Sequence, residues 1–167
     1  ASIIFIDEVG FNVSMRTMMG RSEVGTAATK VVPQLRSRNI SIVCAMNRTG
    51  ILHYISRNRA INQEVFVDFI RQLKENLNGD NIGHPPLLIM DNVAFHKCTA
   101  VREAIIEEGC EVKYLPPYSP FLNPIENLFS KWKTIVKRAN PQNEGELMTA
   151  IQQGASLITS QDCDGYF

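Results

Sequence analysis

Two short apolar runs stop abruptly at acidic residues: SIIFIDE, which ends at Asp7 and Glu8, and LLIMDN, which ends at Asp91. A strand that is apolar without alternation must be covered on both faces, so the chain is constrained to a sheet held between helices, an α/β fold. A helical pattern lies between the two runs. Asn62 can cap it, and Val65, Phe66, Phe69, Ile70, Leu73 and Leu77 recur at spacings of three and four, forming one stripe that should stop near NGDN. Strand, crossover helix and strand make the two runs parallel neighbours in a mixed sheet.

The remaining segments extend this frame. NISIVCAMN and ILHYISRN read as strands joined by the turn-like NRTG, hence a hairpin. The first strand is expected to emerge at Asp7, and the stretch from Val9 to Arg38, with its glycines and a proline and no sustained period, reads as a long irregular connection. Thr99 can cap a shorter helix with Val101, Ile105 and Ile106 on one side, ending near Gly109, before CEVKYL supplies a fifth strand. In YLPPYSPFLNPIENLFSKWK, Asn123 suits an N-cap, Pro124 the first helical position and Glu126 the third position of a capping box. The core stripe of that helix is Ile125, Leu128, Phe129, Trp132, Ile135 and Val136.

Composition narrows the function classes. A chain of 167 residues, 44% hydrophobic and 20% charged, suits one globular domain with a sizeable core. Its apolar runs fall far short of the roughly 20 residues of a membrane helix, and no signal-peptide pattern opens it, so no membrane partner is expected. Because Ala1 already lies in a strand-like run, the chain reads as a piece of something longer. Cys44, Cys98, Cys110 and Cys163 lie far apart without a Cys-x-x-Cys pair and read as buried thiols of an intracellular protein. His53, His84 and His96 are equally scattered, which leaves carboxylates to hold any metal. Net charge is zero, yet Arg16 to Arg59 holds eight basic residues against one acidic residue, Glu23. That segment is either a solvated loop or a surface that faces phosphates.

Asp7 and Asp91 sit where buried strands are expected to end, the edge of an open α/β sheet at which ligands collect. Either alone reads as a turn former or helix cap. Two on adjacent strands repel each other, and a divalent cation is the usual relief. Glu126 lies one turn into a helix that must pack on the same sheet, on a face shared with Ser130, Lys133 and Lys137; those lysines suit a DNA backbone or a solvated flank. Strand alternation turns Glu8 to the opposite face from Asp7, so Glu8 is left out of the site. No serine or cysteine nucleophile with a base is apparent.

FIDEVGFN, IMDNVAFH and YLPPYSPFLNPIENLFSKWK, with thirty-four residues between Asp91 and Glu126, resemble the catalytic domain of Tc1/mariner-type transposases and their bacterial relatives of the insertion-sequence 630 group. The resemblance runs from Ser2 to the DCDGY near the end. It implies a ribonuclease H-like fold, a five-stranded mixed sheet flanked by helices over residues 1–167, with Asp7, Asp91 and Glu126 as a metal-binding carboxylate triad. The implied reaction is cleavage of DNA at transposon ends by water, then joining of the freed 3′-hydroxyl to target DNA, served by two Mg²⁺ or Mn²⁺ ions. Glu126 can then be both part of a helix start and a metal ligand. Asn92, His96, Tyr118 and Asn123, with Lys133 and Lys137, are candidates for DNA contacts or for supporting the triad.

Further expectations follow from the resemblance. The partners are transposon-end and target DNA and a second copy of the chain in the transposition complex. The location is intracellular, nuclear in a eukaryotic host. The end-recognising helix-turn-helix region that family members carry is missing, which implies weak, unspecific DNA binding by this segment alone, and MGRSEVG occupies the place of a clamp-like segment in relatives. Two other readings stay open: a domesticated, non-catalytic DNA-binding protein, whose mark is a broken triad, and another nuclease of the same fold, such as a ribonuclease H or a Holliday-junction resolvase.

Overall fold

A computed structural model describes residues 2–15, 22–27, 39–77, 84–117 and 119–167. Five strands form one mixed sheet in the order β3-β2-β1-β4-β5: β1 (Ile3–Phe11), β2 (Ile40–Asn47), β3 (Gly50–Arg57), β4 (Leu87–Met90) and β5 (Glu111–Tyr114). β2 is antiparallel to both of its neighbours, and β4 is parallel to β1 and β5. The hairpin, the parallel pair and the fifth strand all agree with the pattern of apolar runs.

The helices cover both faces. α1 (Gln63–Leu77) and α2 (Thr99–Glu107) pack together on one side, where Phe66, Phe69, Ile70, Leu73, Val101 and Ile105 meet Ile4, Ile6, Leu88 and Met90. α3 (Ile125–Ala139) and α4 (Glu144–Ser156) cover the other, with Trp132 fully buried against Phe11 and Tyr54. A short α5 (Ser160–Asp164) packs on β3 and is tied to α3 by Lys131 and Asp162, 2.5 Å apart. Among the described residues, no helix is long and apolar enough to cross a membrane.

The structure corrects several expectations. β1 does not end at Asp7. It runs four residues further, because Val9 and Phe11 alternate onto the α3 face and Phe11 still pairs with Ile40. Thr99 is already inside α2; Cys98 takes the N-cap position, with no side-chain cap. Ile106 is 73% exposed, since five residues from Val101 is about 140° around a helix, off the stripe that Ala104 completes. Val65 and Ile135 are only half-buried, as are Cys98 and Cys110, while Cys44 and Cys163 are buried. Asn62 caps α1 as expected, accepting from the Val65 N–H at 2.9 Å. α4 and α5 were not anticipated.

Candidate active site

Parallel register sets Ile6 beside Met90, so Asp7 and Asp91, each one residue further on, flank the point where β4 stops and β1 continues. α3 begins beside them. Asp7, Asp91, Asn92, Asn123 and Glu126 line one cleft of about 440 Å³, with Leu115, Pro116, Pro117, Ser119 and Pro120 contributing to its wall. Residues far apart in sequence therefore meet at the sheet edge where open α/β folds bind ligands.

Each carboxylate has a different setting. Asp7 is 9% exposed; one oxygen accepts from the Glu8 N–H at 2.8 Å and the other from Asn123 Nδ2 at 2.9 Å. Burial is the main cause of a rise in its pKa to about 7; the Glu8 N–H bond opposes that rise, and the charges of Glu8, Asp91 and Glu126 add to it. Asp91 is half-exposed, with Oδ1 2.7 Å from His96 Nδ1. Glu126 is exposed, one turn into α3.

The expected capping box does not form. Asn123 is extended and its carbonyl accepts from the Glu126 N–H at 3.1 Å, as at an N-cap, but its side-chain amide goes to Asp7 and α3 has no side-chain cap. The helix start therefore delivers one side chain to each job: Asn123 steadies Asp7, and Glu126 is left to line the cleft.

His96 sits behind Asp91 in a 3-10 turn over Phe95–Lys97 and is fully buried, which rules its ring out as a direct DNA contact in this arrangement. Its Nε2 lies 2.8 Å from Glu8 Oε1, and its ring stacks on Phe66 at 5.0 Å. Burial alone would lower the His96 pKa, but the Glu8 hydrogen bond and the Glu8, Asp91 and Asp7 charges hold it above the ordinary imidazole value. Glu8 does turn to the face opposite Asp7, as alternation requires, and does not line the cleft. Its link to Asp91 through His96 had no signal in the sequence beyond the neighbouring Asp7, because the two partners are 88 residues apart.

Lys133 and Lys137 stand about 10 and 16 Å along α3 from Glu126 and do not line the cleft. Tyr118 lies outside the described residues, as do Arg16, Arg21, Lys30, Arg36 and Arg38 of the basic segment. Of its other members, Arg48 pairs with Asp164 at 3.1 Å, and Arg57 and Arg59 are exposed.

The cleft fits a hard divalent cation in its chemistry. The available donors are all oxygens, as Mg²⁺ and Mn²⁺ prefer. Asn92 Oδ1 and Asn123 Oδ1 are buried without a hydrogen bond, whereas Asp91 Oδ1 is held by His96 Nδ1 at 2.7 Å. Buried oxygens of this kind are ordinarily satisfied, so these two can take a partner from the cleft. Among the described residues, no three His, Cys, Asp or Glu side chains already converge as a cage. Asp7, Asp91 and Glu126 would have to draw together around the ion.

The family model described as DDE superfamily endonuclease matches residues 2–148. Histone-lysine N-methyltransferase SETMAR from Homo sapiens is 23% identical over 141 residues, covering 80% of this chain and 20% of that protein. The crystal structure of the Mos1 mariner paired-end complex with Mn superposes with a TM-score of 0.84 at 16% identity, covering 99% of this chain and 51% of that one. For the catalytic domain of Mos1 mariner transposase the values are 0.75, 15%, 99% and 74%. Mos1 paired-end complexes are known with Mn and with Mg. The likeness establishes a ribonuclease H-like fold. The chain spans about half the length of Mos1 in the paired-end complex and a fifth of SETMAR.

Proposed function

The chain belongs to the DDE superfamily endonucleases, and from that premise we propose that residues 1–167 are the catalytic domain of a Tc1/mariner-type transposase. The reaction is cleavage of DNA at transposon ends by water, followed by transfer of the freed 3′-hydroxyl into target DNA. One observation carries the reading: carboxylates from β1, the end of β4 and the start of α3 line a single cleft with buried oxygens that lack partners.

Asp7, Asp91 and Glu126 are the residues that would hold two Mg²⁺ or Mn²⁺ ions. Such ions, when bound, activate the attacking oxygen and stabilise the leaving oxygen of an in-line phosphoryl transfer. Asn123 holds Asp7 at the cleft, where burial first and the neighbouring acidic charges second disfavour the bare carboxylate, a cost that a cation would offset. The exposed Glu126 is free to move toward the aspartates.

DNA is the proposed partner. Mos1 forms a paired-end complex with a left transposon end, and we extend to this chain the expectation of transposon ends, target DNA and a second copy. The intact set of Asp7, Asp91 and Glu126 counts against the domesticated reading.

The test is Mn²⁺-dependent nicking of supercoiled plasmid by the parent chain, Asp91→Ala and Glu126→Ala. Loss of nicking in both variants is expected. Nicking retained in Glu126→Ala would remove Glu126 from the site, and cleavage restricted to RNA–DNA hybrids or four-way junctions would overturn the transposase reading.

A further inference from the structure

We propose that Glu8 and His96 form a positioning pair that holds Asp91 for cation binding from the far side of the sheet. The inference rests on the metal-binding reading of the cleft. The Glu8 side chain does not line the cleft and is linked to it through His96, while its backbone N–H donates to Asp7. Between the two carboxylates the imidazole spans 2.8 Å to Glu8 Oε1 and 2.7 Å to Asp91 Oδ1.

The ring has little freedom to turn. It is fully buried, stacked on Phe66 at 5.0 Å and packed against Phe95 at 5.6 Å. Its backbone carbonyl accepts from the Tyr114 hydroxyl at 3.0 Å, which ties the 3-10 turn to β5. The Glu8 backbone is fixed on the central strand, where it pairs with Val43 of β2. A buried polar ring and a partly buried carboxylate are a poor choice for stability, since hydrocarbon of the same shape would avoid their desolvation. The arrangement makes sense if its product is the placement of Asp91. Carboxylates that bind metals are themselves held by hydrogen-bonded neighbours, and losing such a neighbour typically weakens metal affinity about 10–100-fold.

At 2.7 Å, His96 Nδ1 holds Asp91 Oδ1 in place, while Glu8 takes the other ring nitrogen. By contrast, Asp7 is fixed on both oxygens by neutral donors. The two aspartates are therefore held by different means, one from within its own face and one through the sheet.

The experiment titrates Mn²⁺ alone into the protein, following free Mn²⁺ by electron paramagnetic resonance, with a metal-free melting curve for each variant. Glu8→Ala and His96→Ala should each raise the Mn²⁺ Kd about tenfold or more. Glu8→Gln, which keeps an oxygen able to accept from Nε2, should restore affinity to within about threefold of the parent, and the double variant should lose little more than His96→Ala, because both act on one element. A folded Glu8→Ala with the parent's Kd, or losses that simply multiply, would overturn the pair. If Glu8→Ala does not fold, Glu8→Asp decides: it keeps the charge but falls short of Nε2, and an unchanged Kd would overturn the inference. A parent that binds no Mn²⁺, or an Asp91→Ala that binds as tightly, would sink the metal reading and the pair together. Binding lost in Asp91→Ala and kept in Glu8→Ala would sink the pair alone.

Discussion

One helix, α3, serves two regions with opposite habits. At its start, beside Glu126, the cleft gathers carboxylates and keeps buried polar atoms without hydrogen bonds. Some 9 Å further along, Trp132 sits in a layer where hydrocarbon fills the space and the indole Nε1 donates to the Ile151 carbonyl at 2.9 Å. The Trp132 layer is packed and satisfied, as expected of a region selected for stability. The cleft is under-satisfied, as expected of a region selected for a ligand. The difference locates function without any appeal to a motif.

The largest predicted effect separates the two directly. Asp91→Ala should lower Mn²⁺-dependent nicking by at least about 10³-fold, roughly 4 kcal/mol in barrier height, while the chain stays folded, because relief of carboxylate repulsion offsets loss of the His96 contact. Trp132→Ala should behave in the opposite way, losing about 3–5 kcal/mol of stability in urea titrations. A stable Trp132→Ala, or an Asp91→Ala that unfolds, would break the comparison.

Next comes pH. Asp7 has its folded pKa raised from 3.8 to about 7, mainly by burial. The unfolded chain therefore releases this proton first as pH rises. The Asp7 contribution to stability is fully present below about pH 4 and is lost as pH climbs through about 7, a change of up to about 4 kcal/mol. Metal-free unfolding curves of the parent and Asp7→Asn should diverge over that range, the variant showing the flatter profile. Parallel profiles would mean that the Asp7 carboxyl titrates normally.

The smallest effect probes the packed layer. A Cβ on Gly154 would meet Trp132 Cδ1 at 2.7 Å and Nε1 at 2.9 Å, so Gly154→Ala should force the indole aside and cost about 1–3 kcal/mol, with nicking per folded molecule unchanged. A neutral Gly154→Ala in a thermal melt would show the layer to be looser than its geometry implies.

Much of this architecture was legible because burial leaves a local trace. Apolar runs marked β1, β2 and β4, a three-and-four spacing marked α1 and α3, and acidic residues after buried runs brought Asp7 and Asp91 into view. What escaped depended on distance or on weaker local signals. The far end of β1 was hidden because Val9 and Phe11 alternate with polar or small residues. α4 had a readable start, with Asn143 accepting from the Glu146 N–H and Leu147, Ala150 and Ile151 following, and α5 opens on a Thr159–Asp162 capping box. Asn123 looked like a side-chain cap because its neighbours suit one; only the fold reveals that Asp7, 116 residues away, takes its amide. The Glu8–His96 contact is of the same kind.

The central claim is that Asp7, Asp91 and Glu126 close on divalent metal in one cleft. Anomalous scattering from crystals soaked in Mn²⁺ tests it most directly. Peaks are expected within coordination distance of all three carboxylates; a soaked crystal with no peak in the cleft, or with Mn²⁺ bound only elsewhere, would rule out this metal site.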